Sequence, residues 1–236
     1  MTLSEMEKKS PFRILEKSIQ GGLGKGNVGV FMARPGVGKT ACLVYLALDD
    51  IVRGKKVLHF GVEESVDKVR AWYDEMTNNL TETFQLSDTT DFREKIEKNR
   101  IIMSYSSSSF SADKMKKAIW IAANQGGFTP DVVIVDNFDF EHATKDDVVA
   151  FKKIAEEVSV EMWFSAITHR EGQVLNEHGI PAPYDQFEQQ LSVLVSLDPV
   201  QDTIFLRLLK DHDNLNPPAL HVKLDPRTLL VKPRYI

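Results

Sequence analysis

The chain has 236 residues, 42% hydrophobic and 27% charged, with a formal net charge of -5. Such a chain can bury one substantial core without disulfides or structural metal, and its acidic balance does not favour nucleic acid or anionic membranes as partners. Its single cysteine, Cys42, excludes an internal disulfide and fits a reducing cytoplasm.

Met1–Ser10 is short and charged and lacks the apolar stretch of a secretory signal, and no run approaches the ~18 apolar residues of a membrane span. Residues 1–19 read as a lead segment ahead of one domain over 20–236. Val28–Met32, Val57–Val62, Ile101–Ser104, Val132–Val135 and Met162–Ile167 are short, apolar, punctuated runs that read as buried strands. Helical stretches alternate with them. Gly38–Ile51 follows the first strand. One-face stripes follow at Val66, Val69, Tyr73, Met76 and Leu80, at Met115, Ala118, Ile119 and Ala122, and at Phe151, Ile154, Ala155 and Val158. Ser104–Ser109 reads only as a loop. Leu191–Leu197, Thr203–Leu209, Leu220–Leu224 and Thr228–Val231 are strands separated by turns alone. The expectation is an α/β fold with a mostly parallel, doubly wound sheet, helices on both faces and antiparallel C-terminal strands.

The chemistry concentrates in three places. Ala33-Arg34-Pro35-Gly36-Val37-Gly38-Lys39-Thr40, between the first strand and a helix, has the spacing of a phosphate-binding loop with Ala at its first position. Glycines there let main-chain N–H groups approach phosphate oxygens, and the helix adds its positive end. Lys39 is expected to neutralise the β- and γ-phosphates and the Thr40 hydroxyl to ligate Mg²⁺, with Ala33 through Ala41 forming the ATP-binding segment. Asp131-Val132-Val133-Ile134-Val135-Asp136 places an acid at the carboxyl edge of a buried strand, where Asp136 completes the metal shell. Glu63 and Glu64 stand at a strand-to-helix junction on the same edge. Glu63 is the expected catalytic acid, with Glu64 as the alternative and support for the following helix as the other acid's role. The six histidines show no metal-ligand spacing.

Gly22-Leu23-Gly24-Lys25-Gly26-Asn27, followed by Met32 through Ala41, resembles the ATPase domain of DnaB-type replicative helicases within the RecA/KaiC superfamily. The resemblance runs from about Gln20 to about Asn214. It implies a RecA-like fold, ATP and Mg²⁺ as ligands, Ala33 as a family trait, and Glu63 as catalytic acid. It also implies His169 in the place of a γ-phosphate sensor that is usually Gln. A late-strand Lys-x-Arg pair that reaches a neighbour's nucleotide corresponds here to Lys210 and His212, and the resemblance implies a ring or filament of identical subunits, hexameric among the options. Two departures stand out. Histidine replaces the arginine, and the loops where the family contacts DNA carry Glu141, Asp146, Asp147, Glu171 and Glu177. Three readings follow: an ATPase that drives or regulates a partner or assembly, a DNA-acting motor, and a nucleotide-binding scaffold with little turnover.

Overall fold

The computed structural model describes residues 1–10, 12–168, 174–220 and 222–233. Nine strands form one sheet in the order β3-β2-β4-β5-β1-β6-β7-β8-β9. β1 (Val28–Ala33), β2 (Val57–Val62), β3 (Arg100–Tyr105), β4 (Val132–Asp136), β5 (Glu161–Ile167) and β6 (Val193–Val200) run parallel. β7 (Thr203–Asp211), β8 (Val222–Leu224) and β9 (Val231–Pro233) continue the sheet in antiparallel fashion. This is a mixed α/β architecture with a mostly parallel sheet and antiparallel C-terminal strands, as the alternation of apolar runs and helical stripes predicts.

Strand alternation divides the core into two layers. Phe31, Ile134, Trp163 and Val195 point to one face, where they meet α3 (Lys39–Val52), α4 (Val66–Phe84) and α5 (Thr89–Asn99). Val30, Met32, Val133, Val135 and Phe164 point to the other and meet α6 (Ala112–Asn124) and α7 (Lys145–Val158). Gly29 is what lets β5 press against β1: a Cβ there would lie 2.5 Å from the Trp163 ring, which stacks on Phe31 at 4.9 Å.

Residues 1–19 form α1 (Leu3–Lys9) and α2 (Phe12–Ser18), and Leu3, Met6, Phe12, Leu15 and Ile19 are buried in the same cluster as α3. Arg13 and Arg53 fasten this segment to α3 through Glu16 and the buried Asp49. Burial pushes the Asp49 carboxyl up to about 6 despite the pull of Arg13 and Arg53.

Three elements depart from the sequence expectation. α5 was not foreseen, because its polar sequence buries only Phe92 and Ile96. β6 is not purely a hairpin strand: it pairs parallel with β1 and antiparallel with β7. The last strand begins at Val231 rather than Thr228, because the Asp225 carboxylate accepts from the N–H groups of Arg227 and Thr228 and holds them in a turn.

Candidate functional site

β1 delivers the chain to the carboxyl edge of the sheet, and residues 33–38 turn there into α3. Gly38, the N-cap, has φ +108°, a conformation that a side chain strains against, and the buried Leu224 side chain from β8 lies over it. The first helical hydrogen bond is from Cys42 N–H to Gly38 O at 3.0 Å. The N–H groups of Lys39, Thr40 and Ala41 therefore open out of the helix end, the arrangement that receives anions. The Lys39 ammonium curls back to donate to the carbonyls of Ala33 at 3.1 Å and Arg34 at 3.2 Å. Burial lowers its pKa, and the Asp136 carboxylate opposes that shift.

Alternation along β4 carries Asp136 to the same face as Ile134, beneath α3. Asp136 is 2% exposed, and its Oδ2 accepts from Thr40 Oγ1 at 2.8 Å. Ser165 sits on that face of β5 beside it, donating to Asp136 Oδ1 and accepting from the N–H of Asn137 at 2.7 Å. The carboxylate is thus fixed from two strands and one helix. A hydroxyl and a carboxylate oxygen at this separation are hard donors of the kind Mg²⁺ takes, with phosphate oxygens and water completing its shell. Among the described residues no group of three or more His, Cys, Asp and Glu side chains could hold a metal by itself, so the cation would be shared with a bound nucleotide.

Glu63 lies just past β2, two residues beyond the Gly61 that pairs with Asp136. Its φ of +58° turns the chain away from the strand while its N–H still donates to Tyr105 O at 2.8 Å. The carboxylate is exposed and accepts from Ser107 N–H at 2.5 Å, a bond that lowers its pKa and keeps it ionised. It borders a cleft of about 290 Å³ with Asn137, Phe138 and Ile167. Asn137 ties the two strand ends together by donating to Val62 O at 3.1 Å. Glu64 instead pairs with Lys68 at 2.7 Å across the first turn of α4.

The other expected site residues are placed as follows. Ala33 and Ala41 are buried, 2% and 0% exposed, leaving their main-chain atoms to face a ligand. Pro35 and Gly36 form the exposed tip of the loop, and Val37 is half-buried. Arg34 lines a separate cleft with Thr168 and Ser196. His169 lies outside the described residues.

Lys210 and His212 correct the expectation of a pair projecting toward a neighbour. Lys210 is 7% exposed and donates to Leu191 O at 2.7 Å and to Glu188 O, because its face of β7 meets the turn that carries those carbonyls. Burial lowers its pKa, against the pull of Glu188 and Asp213. His212 has left the strand with φ +54°, and its ring bonds to Asp211 Oδ1 at 2.8 Å and to Leu23 O at 3.1 Å.

Sequence reasoning passed over Ser165 and Asn137. The signal available for Ser165 was a lone hydroxyl inside the apolar run Met162–Ile167. Its meaning depends on the register that sets it beside Asp136.

A family model described as AAA domain matches residues 1–157 of this chain. No curated protein matches it.

Proposed function

This chain belongs to the AAA domain family of ATP-binding P-loop ATPases, and from that premise we propose that it is a RecA/KaiC-like enzyme that hydrolyses Mg²⁺-ATP slowly to drive or regulate a partner or assembly. The observation that carries the reading is the Thr40–Asp136–Ser165 cluster at the start of α3, where the Lys39 ammonium is held only by carbonyls of its own loop. Phosphate oxygens would replace the Ala33 and Arg34 carbonyls as partners of Lys39. Thr40 and Asp136 would hold Mg²⁺, which when bound neutralises charge on the phosphates. Glu63 orients the attacking water, and His169 takes the place of the γ-phosphate sensor.

Slow turnover is supported by two features. The Glu63 carboxylate is engaged by Ser107 N–H and must share that bond with a water. Lys210 is committed to carbonyls of its own chain and brings no charge to another subunit's nucleotide. Localisation in the cytoplasm and self-assembly belong to the same proposal; no helix among the described residues is long and apolar enough to cross a membrane. The DNA-motor reading has no supporting observation, since Asp139 and Glu141 head the loop after β4 where cations would be needed.

The test is ATP hydrolysis by the purified chain with Mg²⁺, with EDTA, and with single-stranded DNA. Magnesium-dependent turnover unaffected by DNA is expected. Stimulation by DNA with a steep salt dependence would move the function to the motor reading.

A further inference from the structure

The phosphate loop follows β1 at the carboxyl edge of the sheet. The opposite edge, where β4 and β5 begin, carries an apolar surface that nucleotide chemistry does not use. Pro130 lies just before β4 and Val160 just before β5. With Ile119 and Ala123 of α6 and Val158 of α7 they wall a cleft of about 150 Å³. An apolar cavity of roughly that volume accepts a benzene ring. On the rim stands Trp120, 56% exposed, and Ile121 beside it is 38% exposed. A large aromatic ring in water next to an apolar hole marks an interaction surface.

The placement of Trp120 follows from the helix. Met115, Ala118, Ile119 and Ala122 are the buried stripe of α6. Trp120 falls outside that stripe, with Lys116, Lys117 and Asn124 as its neighbours one turn away. The charges of α6 run against its own dipole. Lys114, Lys116 and Lys117 lie in its first two turns, at the positive end, and its last turn has no basic residue. Lys116 is matched by Glu157 at 2.5 Å, while Lys114 and Lys117 have no ion pair among the described residues.

We propose that this face of α6 is a two-fold contact between copies of the chain, each Trp120 entering the apolar cleft of the other copy. With the axis crossing α6 near Trp120, the two helices run antiparallel. Lys116 and Lys117 of one copy then lie against Asn124 and the C-terminal end of α6 in the other, where a cation is favoured. A two-fold interface must be complementary to itself. This surface meets that demand twice: knob and hole stand side by side, and the lysines and the negative helix end lie on either side of Trp120. One helix face with one ring per copy falls short of the roughly 800 Å² per partner of a standard interface, so the dimer forms and dissociates with concentration. Because the contact sits at the edge of the sheet away from the phosphate loop, it is independent of nucleotide and separate from any assembly through the nucleotide site.

The experiment is sedimentation equilibrium of the full chain over a wide concentration range, with and without Mg²⁺-ATP, with thermal melting to verify folding. Wild type should show a monomer–dimer equilibrium that nucleotide leaves unchanged. Trp120→Ala should weaken it roughly 100-fold, since two rings are lost per dimer, with the melting temperature near wild type. Lys117→Glu and Asn124→Lys should each weaken it several-fold, and the double variant should recover, because antiparallel pairing sets the two positions opposite each other. A wild type that stays monomeric at every concentration would leave the cleft to a different kind of partner and overturn the proposal. Equal association of wild type and Trp120→Ala, or a dimer that forms only with Mg²⁺-ATP, would place the contact elsewhere and overturn it as well. A double variant weaker than either single one would refute the antiparallel pairing, and the two-fold contact with it.

Discussion

Lys39 in the parallel half of the sheet and Lys210 in the antiparallel half are held in the same manner. Each ammonium donates to two main-chain carbonyls, and burial lowers the pKa of each. They differ in what surrounds the bonds. The acceptors of Lys39 belong to its own loop, whose tip at Pro35 and Gly36 is exposed, so on the proposed function phosphate oxygens would take over from the Ala33 and Arg34 carbonyls without leaving a buried charge. Lys210 is enclosed beneath the 184–191 turn. Moving it would strand both a buried ammonium and the carbonyls of Glu188 and Leu191. On the proposed function one lysine is a ligand group held in its own loop; the other is a staple. The comparison shows that the fate of a buried cation is decided by whether its partners can be exchanged, not by how many it has.

The largest effect expected from this contrast is at Lys39. Lys39→Ala should abolish measurable ATP binding in a titration while the melting temperature stays near wild type. Next is Glu63→Gln, which should keep ATP affinity and lower steady-state hydrolysis by about 10²-fold; an unchanged rate would transfer the role to Glu64. Lys210→Met should do the reverse of Lys39→Ala. Leaving two carbonyls unpaired costs roughly 1–3 kcal/mol, seen as a lower melting temperature with nucleotide affinity retained. A Lys210 variant that melts normally but no longer hydrolyses ATP would break the comparison.

A pH series sharpens it further, because the parallel half also buries groups with shifted protonation. His59 on β2, bonded through Nδ1 to the Tyr73 hydroxyl at 3.1 Å, is held neutral by burial, its pKa pushed down to about 4. The unfolded chain takes up that proton first, so stability is lost as pH falls from 6.5 toward 4. Asp49 is shifted in the opposite sense, up to about 6. The folded chain protonates it first, so its contribution is present at low pH and lost as pH rises through 6. Between pH 7 and pH 5 the two oppose each other, at about 2 kcal/mol of loss from His59 and about 1 kcal/mol of gain from Asp49. Urea unfolding of wild type should therefore change little over that range. His59→Leu should become more stable on acidification and Asp49→Asn less stable, and parallel slopes in the two variants would contradict the assignment. The smallest effect is expected at His212. His212→Arg should leave turnover unchanged, since the ring is tied to Leu23 and Asp211; a rise would reopen a role toward a neighbouring subunit.

Much of the parallel half could be read directly. β2 runs over the residues expected, β1 and β4 differ by one residue at the end, and α3 follows the phosphate loop. Alternation along Val132–Asp136 puts Asp136 on the face of Ile134, and α3 covers that face, so the Thr40–Asp136 contact was implicit in the pattern. The reason is that apolar periodicity and glycine spacing are local properties, enforced by backbone geometry whatever the rest of the chain does. What stayed hidden was set by contacts between distant segments. Ser165 is a buried hydroxyl in a strand until the register of β4 against β5 makes it the partner of Asp136. The Leu224 contact with Gly38 joins residues far apart in sequence and exists only once β6 to β9 have been added beside β1. Lys210 carries the same lesson. Strand alternation gives the face on which its side chain lies, but only the packing of the 184–191 turn against that face decided that the ammonium would be buried there rather than offered outward.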